Sequence, residues 1–183
     1  MLNYREALTR ATDQLSAHPD LRPSALADAA VLLMHSTQVD RPTLIAHPER
    51  LLDREEQAIY QRLIERRLRF EPIQYITGTQ EFYGLSLLVT PAVLIPRPET
   101  ELLVEAILQR LPKVEPLRIV DVGTGSGAIA LAVATHLPNA LVTAVDLSRD
   151  ALEVARQNIS AHGLSDRIRT CESNLLESLE GEG

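Results

Sequence analysis

Leu117-Arg118-Ile119-Val120-Asp121-Val122-Gly123-Thr124-Gly125-Ser126-Gly127-Ala128-Ile129-Ala130 is the stretch that decides the fold. Leu117 to Val122 is an apolar run broken only by Arg118 and Asp121, a pattern that fits a buried parallel strand. Gly127 to Leu137 reads as a helix. A glycine-rich turn between strand and helix is where open α/β folds bind ligands. Gly123, Gly125 and Gly127 alternate. Lacking Cβ, they let backbone amides approach a ligand and permit positive φ. The helix start behind them offers free N–H groups and partial positive charge to a carboxylate.

The spacing separates the ligands such a turn could hold. A dinucleotide turn reads G-x-G-x-x-G, whereas here the third glycine comes one residue early. Asp121 precedes the first glycine by two. That placement suits a ligand presenting an ammonium group and a carboxylate together, as an amino-acid tail does. Asp146, at the end of the next strand, can accept hydrogen bonds from both hydroxyls of a ribose. A nicotinamide or flavin nucleotide and a purely structural turn remain as alternatives.

Downstream, Ala140 to Val145 reads as a second buried strand and Asp150 to His162 as a helix ended by Gly163. Arg167 to Glu172 reads as a third strand. This alternation implies a parallel sheet. Upstream, Pro98 suits a first helical turn, and Glu99 and Glu101 favour the positive end of a helix running to Leu111. Tyr75 to Gly78 and Gln80 to Thr90 are rich in β-branched and aromatic residues, which predicts a β-hairpin with Phe82 and Tyr83 in its core.

The first seventy residues predict helices. Tyr4 to Ala17 and Ser24 to Met34 carry apolar residues at helical spacing. Asp40-Arg41-Pro42 looks like a cap with proline in the first turn of a helix to His47. Asp53 with Glu56 matches a capping box, opening a helix to about Phe70. Arg62, Arg66, Arg67 and Arg69 interleave with Glu55, Glu56 and Glu65 and read as a solvated helix face. The expected division is a helical domain over 1–71, which docks the substrate, a hairpin linker over 72–92 and an α/β domain over 93–183. A protease should cut first between Glu71 and Gly78.

The 183 residues carry a net charge of −7, which argues against broad contact with a nucleic-acid backbone. Cys171 is the only cysteine, so no internal disulfide can form. His18, His35, His47, His136 and His162 show no metal-ligand spacing. No apolar run suits a membrane span, and the N-terminus lacks a signal-peptide pattern, so a cytoplasmic location is expected.

Asp121 to Gly127 with Ala144-Val145-Asp146 resembles the cofactor half of the class I methyltransferases. Leu94-Ile95-Pro96-Arg97-Pro98-Glu99-Thr100-Glu101, Gln74 to Gly78 and Glu81 to Gly84 narrow the resemblance to the peptide chain release factor N5-glutamine methyltransferases. The resemblance covers the whole chain. It implies a small helical N-terminal domain, a hairpin linker and a partial Rossmann-like α/β domain that binds S-adenosyl-L-methionine. It assigns cofactor contacts to Asp121, Gly123, Thr124, Gly125, Ser126, Gly127 and Asp146, with Asn174 against the adenine, and points to Arg97, Glu99 and Thr100 as cofactor or substrate contacts. Asn174 stands where the family often has an acid, and a loop-capping role competes there. The implied reaction is methylation of the glutamine amide in a Gly-Gly-Gln motif of release factors. The family's Asn-Pro-Pro-Tyr acceptor loop does not occur in the 183 residues. The chain is therefore expected to be a truncated, catalytically incompetent piece with no catalytic residue of its own and with Leu117–Val122 at an exposed edge. Methylation of a nucleic-acid base and a non-catalytic binding module are the competing readings.

Overall fold

The computed structural model describes residues 1–112 and 115–179. They form two compact units, Met1–Thr77 and Gly78–Gly183.

The first unit is helical: α1 (Tyr4–Ser16), α2 (Ala25–Thr37), α3 (Arg41–Ala46), α4 (Arg54–Leu68) and α5 (Ile73–Thr77). Local chemistry sets the starts. The Asp53 carboxylate accepts from the Glu56 amide at 2.7 Å, and the Glu56 carboxylate accepts from the Asp53 amide at 2.9 Å. Asp40 caps α3 through the Thr43 amide, with Pro42 in the first turn. Asn3 and Glu6 make a second capping box, at α1. Tyr4, Leu15, Leu32, Leu33 and Leu52 are fully buried in the core.

Two expectations fail here. Ile73–Thr77, expected to lead into the hairpin, is a helix. The Tyr75 and Ile76 amides donate to the Pro72 carbonyl, each at 3.1 Å, and Ile76 is buried in the helical core. Burial on an i, i+3 spacing has overridden the β-propensity of the segment. Nor are Arg66 and Arg67 part of a solvated face. Arg66 forks onto Glu71 and donates to the carbonyls of Tyr75 and Ile76. Arg67 donates to Asp28 at 2.7 Å and to the Glu71 carbonyl. The two guanidiniums hold the chain from Glu71 to Ile76 against α4.

The second unit opens with the antiparallel pair β1 (Thr79–Phe82) and β2 (Leu85–Leu88). Tyr83 and Gly84 both take positive φ, 51° and 75°, the geometry of a two-residue turn that matches strand twist. Phe82 is buried, and Tyr83 packs edge-on against His136 with ring centroids 5.0 Å apart. Pro98–Thr100 forms a 3-10 turn leading into α6 (Glu101–Arg110), whose buried residue is Val104. Leu102 and Leu103 are exposed.

Then β3 (Leu117–Val122), α7 (Ala128–His136), β4 (Ala140–Asp146), α8 (Arg149–Ala161) and β5 (Ile168–Glu172) alternate. The strands are parallel in the order β3-β4-β5. α7 is apolar nearly all round, with Ala130 to Ala134 buried, which suits a helix covered on more than one side. α8 is amphipathic, burying Ala151, Leu152, Val154, Ala155, Asn158 and Ile159. One sheet face, from Ala140, Val142, Ala144 and Ile168, joins the core with these helices. The other presents Arg118, Val120 and Val122 beside Leu141 and Thr143. Val120 is 44% exposed and Val122 43%, while Leu117 and Ile119 on the opposite face are half-buried against the core, so β3 is not the fully buried strand that its apolar run suggests. Like β5, it is an edge strand among the described residues. Arg167 closes the far end of α7, donating to the carbonyls of Ala134, Leu137 and Pro138. Among the described residues no helix is long and apolar enough to cross a membrane.

Candidate cofactor site

The glycine loop leaves the end of β3 and enters α7 beside the end of β4. The amides of Gly123 and Thr124 donate to the Val145 carbonyl at 2.8 and 2.9 Å, which pins the loop to its neighbour strand. Gly123, Gly125 and Gly127 have φ of +74°, +55° and +82°, a region that L side chains seldom adopt. A Cβ at Gly123 or Gly125 would point into open space, whereas one at Gly127 would meet the Ala155 Cβ at 3.4 Å. The first two glycines therefore keep the loop surface low, and the third lets α7 lie close to α8.

Two carboxylates frame the loop. Asp121 Oδ2 accepts from the Thr124 hydroxyl at 2.6 Å and from the Ala130 amide at 3.3 Å. Burial raises the Asp121 pKa above the ordinary value, and the Asp146 charge adds to this; the Thr124 and Ala130 bonds oppose it. Asp146 Oδ2 accepts from the Gly125 amide and Oδ1 from the Ser148 amide, each at 2.9 Å. One acid thus fixes the middle of the loop and the approach to α8, where the Ser148 hydroxyl caps Ala151. The amides of Ser126, Ala128 and Ile129 make no hydrogen bond to a described residue, which leaves donors at the start of α7.

Asp121, Thr124, Gly125 and Asp146 are thus bonded together, with Gly123, Ser126 and Gly127 between them. The exit of β5 reaches the same place, because the Ser173 amide donates to the Asp146 carbonyl at 3.1 Å. Ser173 is buried and accepts from the Ser178 amide. Asn174 is exposed, and its side chain donates to Glu177 within its own loop. Arg97, Glu99 and Thr100 stand in and before the 3-10 turn, where the Thr100 amide donates to the Arg97 carbonyl. None of the three has a hydrogen bond to the glycine loop among the described residues.

Sequence reasoning missed two residues. Glu101 accepts from the Tyr83 amide at 2.8 Å and so ties the hairpin turn to α6. Asn158, in the buried stripe of α8, bonds to both the loop and β2. A polar residue on an apolar helical stripe is the signal that could have found it.

A family model described as the PrmC N-terminal domain matches residues 6–78, and one described as the methyltransferase small domain matches residues 98–182. Among curated relatives, a release factor glutamine methyltransferase of Koribacter versatilis is 49% identical over 158 residues, 86% of this chain and 56% of the relative. That of Moorella thermoacetica is 43% identical over 180 residues, 98% of this chain and 63% of the relative. That of Escherichia coli is 41% identical over 181 residues, 99% and 63%. The chain thus spans somewhat under two thirds of the length of these relatives. Over that span it is similar to the release factor glutamine methyltransferases.

Proposed function

We propose that this chain binds S-adenosyl-L-methionine at the glycine loop, within an enzyme that methylates the side-chain amide nitrogen of the glutamine in a Gly-Gly-Gln motif of peptide chain release factors. The observation that carries this reading is the pair Asp121 and Asp146, set on either side of a loop with open space above Gly123 and Gly125. The relatives' shared name supports the acceptor.

The residues present fit the cofactor. Asp146 keeps lone pairs beyond its two amide bonds and would hold the ribose hydroxyls. The open amides at the start of α7 would take the carboxylate of the amino-acid tail. Asp121 would face its ammonium group. Bound there, the cofactor supplies a methyl group already activated on a sulfonium, so neither a metal nor a protein nucleophile is needed. The protein's share is positioning: the amide nitrogen must sit in line with the methyl carbon at about 3–3.5 Å.

The test is transfer of labelled methyl from S-adenosylmethionine to a release factor. This chain is compared with a chimera carrying the part of the Moorella relative that lies beyond its match. Transfer by the chimera is expected, and it should vanish when the acceptor glutamine is replaced. A chimera that binds cofactor yet leaves the release factor unlabelled would sink the acceptor assignment. Turnover by the 183-residue chain alone would place the acceptor site within it.

Asp121 makes a separate prediction. Its raised pKa means the folded chain holds a proton there more tightly than the unfolded chain does. Ionised Asp121 therefore costs the ligand-free fold stability, a cost absent below the ordinary carboxylate value of 3.8 and complete above the raised one. Asp121→Asn keeps an acceptor for Thr124 and removes that cost, so the ligand-free variant should melt at a higher temperature at neutral pH. It should also bind S-adenosylmethionine about 10- to 100-fold more weakly, through loss of the charge that meets the ammonium. Wild-type affinity should fall as the pH drops toward the raised pKa, and the variant should lack that component. Calorimetry across pH checks this; equal affinity in both proteins would take Asp121 out of the site.

A further inference from the structure

We propose that Asn158 is the positioning residue of the glycine loop: it holds the loop in its ligand-ready shape by clamping it to β2. Asn158 lies on α8 and is only 2% exposed. Its Oδ1 accepts from the Leu88 amide at 2.7 Å, and its Nδ2 donates to the Leu88 carbonyl at 3.0 Å. The same Nδ2 donates to the Ser126 carbonyl at 2.9 Å. The carboxamide offers the donor and acceptor of a peptide group, so it satisfies both backbone groups of Leu88 as a neighbouring strand would. Its second N–H then reaches the loop.

Ser126 is where this matters. The residue is 2% exposed and sits between two glycines of positive φ. The other loop anchors lie elsewhere: Gly123 and Thr124 on Val145, Gly125 on Asp146, and the Gly127 amide on the Thr124 carbonyl. The Ser126 carbonyl has its partner in Asn158. Fixing that carbonyl fixes the peptide plane that carries the Gly127 amide, and with it the entry to α7. Without the clamp, a carbonyl would be buried unpaired or would turn toward water, and the peptide would rotate with it. The amides meant for a ligand's carboxylate would lose their common direction.

The ligand arm of the test rests on the reading that the loop binds S-adenosylmethionine; the exchange arm does not. Hydrogen exchange of the Thr124 to Gly127 amides is measured in the ligand-free chain, and cofactor affinity by calorimetry. Asn158→Ala, Asn158→Asp and, as a control, Ile159→Ala are compared at a temperature where each is folded by circular dichroism. Ile159 is buried in the same core, so its truncation lowers stability without touching the loop.

Both Asn158 variants should speed loop exchange and weaken affinity roughly tenfold or more, beyond the unfolded fraction. Ile159→Ala should lower the melting temperature and leave both readouts unchanged. Asn158→Asp keeps an acceptor for the Leu88 amide while losing the donor to Ser126. Leu88 should then stay protected while the loop loosens, a split that general destabilisation does not produce. Loop exchange unchanged in Asn158→Ala, or equal loosening in Ile159→Ala, would overturn the proposal. Should the alanine variant not fold, the near-isosteric Asp variant decides. If the wild-type chain binds no cofactor, the functional reading fails and the exchange comparison still stands.

Discussion

Asp146→Ala is expected to weaken S-adenosylmethionine binding by about 2–3 kcal/mol, roughly 30- to 150-fold. A charge-assisted bond to ribose accounts for about 1.5–3 kcal/mol. The geometry adds to that, since the same carboxylate holds the Gly125 and Ser148 amides. Removing it frees the middle of the loop as well as one ligand contact. Asp146→Asn separates the two effects, because its carbonyl oxygen can still accept from one amide. It should lose less affinity than alanine. Titration calorimetry on folded protein measures both, and an affinity within twofold of wild type for the alanine variant would remove Asp146 from the site.

Arg67→Ala should cost the helical unit about 3 kcal/mol of stability. Arg67 and Asp28 pair at 2.7 Å with only 15% and 11% of their side chains exposed. Breaking a buried pair from one side costs roughly 3–5 kcal/mol, because the remaining charge is stranded. The Ser24 hydroxyl still donates to Asp28 at 2.8 Å, which sets the expectation at the lower end. The double variant Asp28→Leu, Arg67→Met strands no charge and should recover much of the loss. The chain has no tryptophan, and three of its four tyrosines, Tyr4, Tyr60 and Tyr75, lie in the helical unit. Tyrosine fluorescence during urea unfolding therefore reports mainly on this unit. A loss under about 1 kcal/mol would show that water reaches the pair and screens it.

What was legible in the sequence was local. Asp53 with Glu56, Asp40 before Pro42 and Gly163 after α8 each act within a few residues, and each does in the structure what its spacing says. The turn from Gly123 to Gly127 was legible because a strand-to-helix turn with three positive-φ positions calls for glycines there. What was not legible is held by partners far apart in the chain. Arg67 finds Asp28 39 residues away, and Asn158 finds Leu88 70 residues away. Ile73–Thr77 was misread for a related reason. Its composition favours a strand, but Arg66 and the buried Ile76 decide its conformation.

Arg167 reaches further than the three carbonyls it touches. A helix carries about half a positive charge at its start and half a negative charge at its end. In α7 the negative end lies against a full guanidinium charge, so its contribution to the surrounding field is cancelled and overturned. The positive end, at the loop, then acts without an opposing pole. Across a helix of nine residues the two ends are about 13 Å apart. That exceeds the Debye length of about 8 Å in physiological salt, but the path runs through buried alanines rather than through water. An arginine placed before β5 thereby makes the glycine loop a more attractive place for an anion than its own residues alone would.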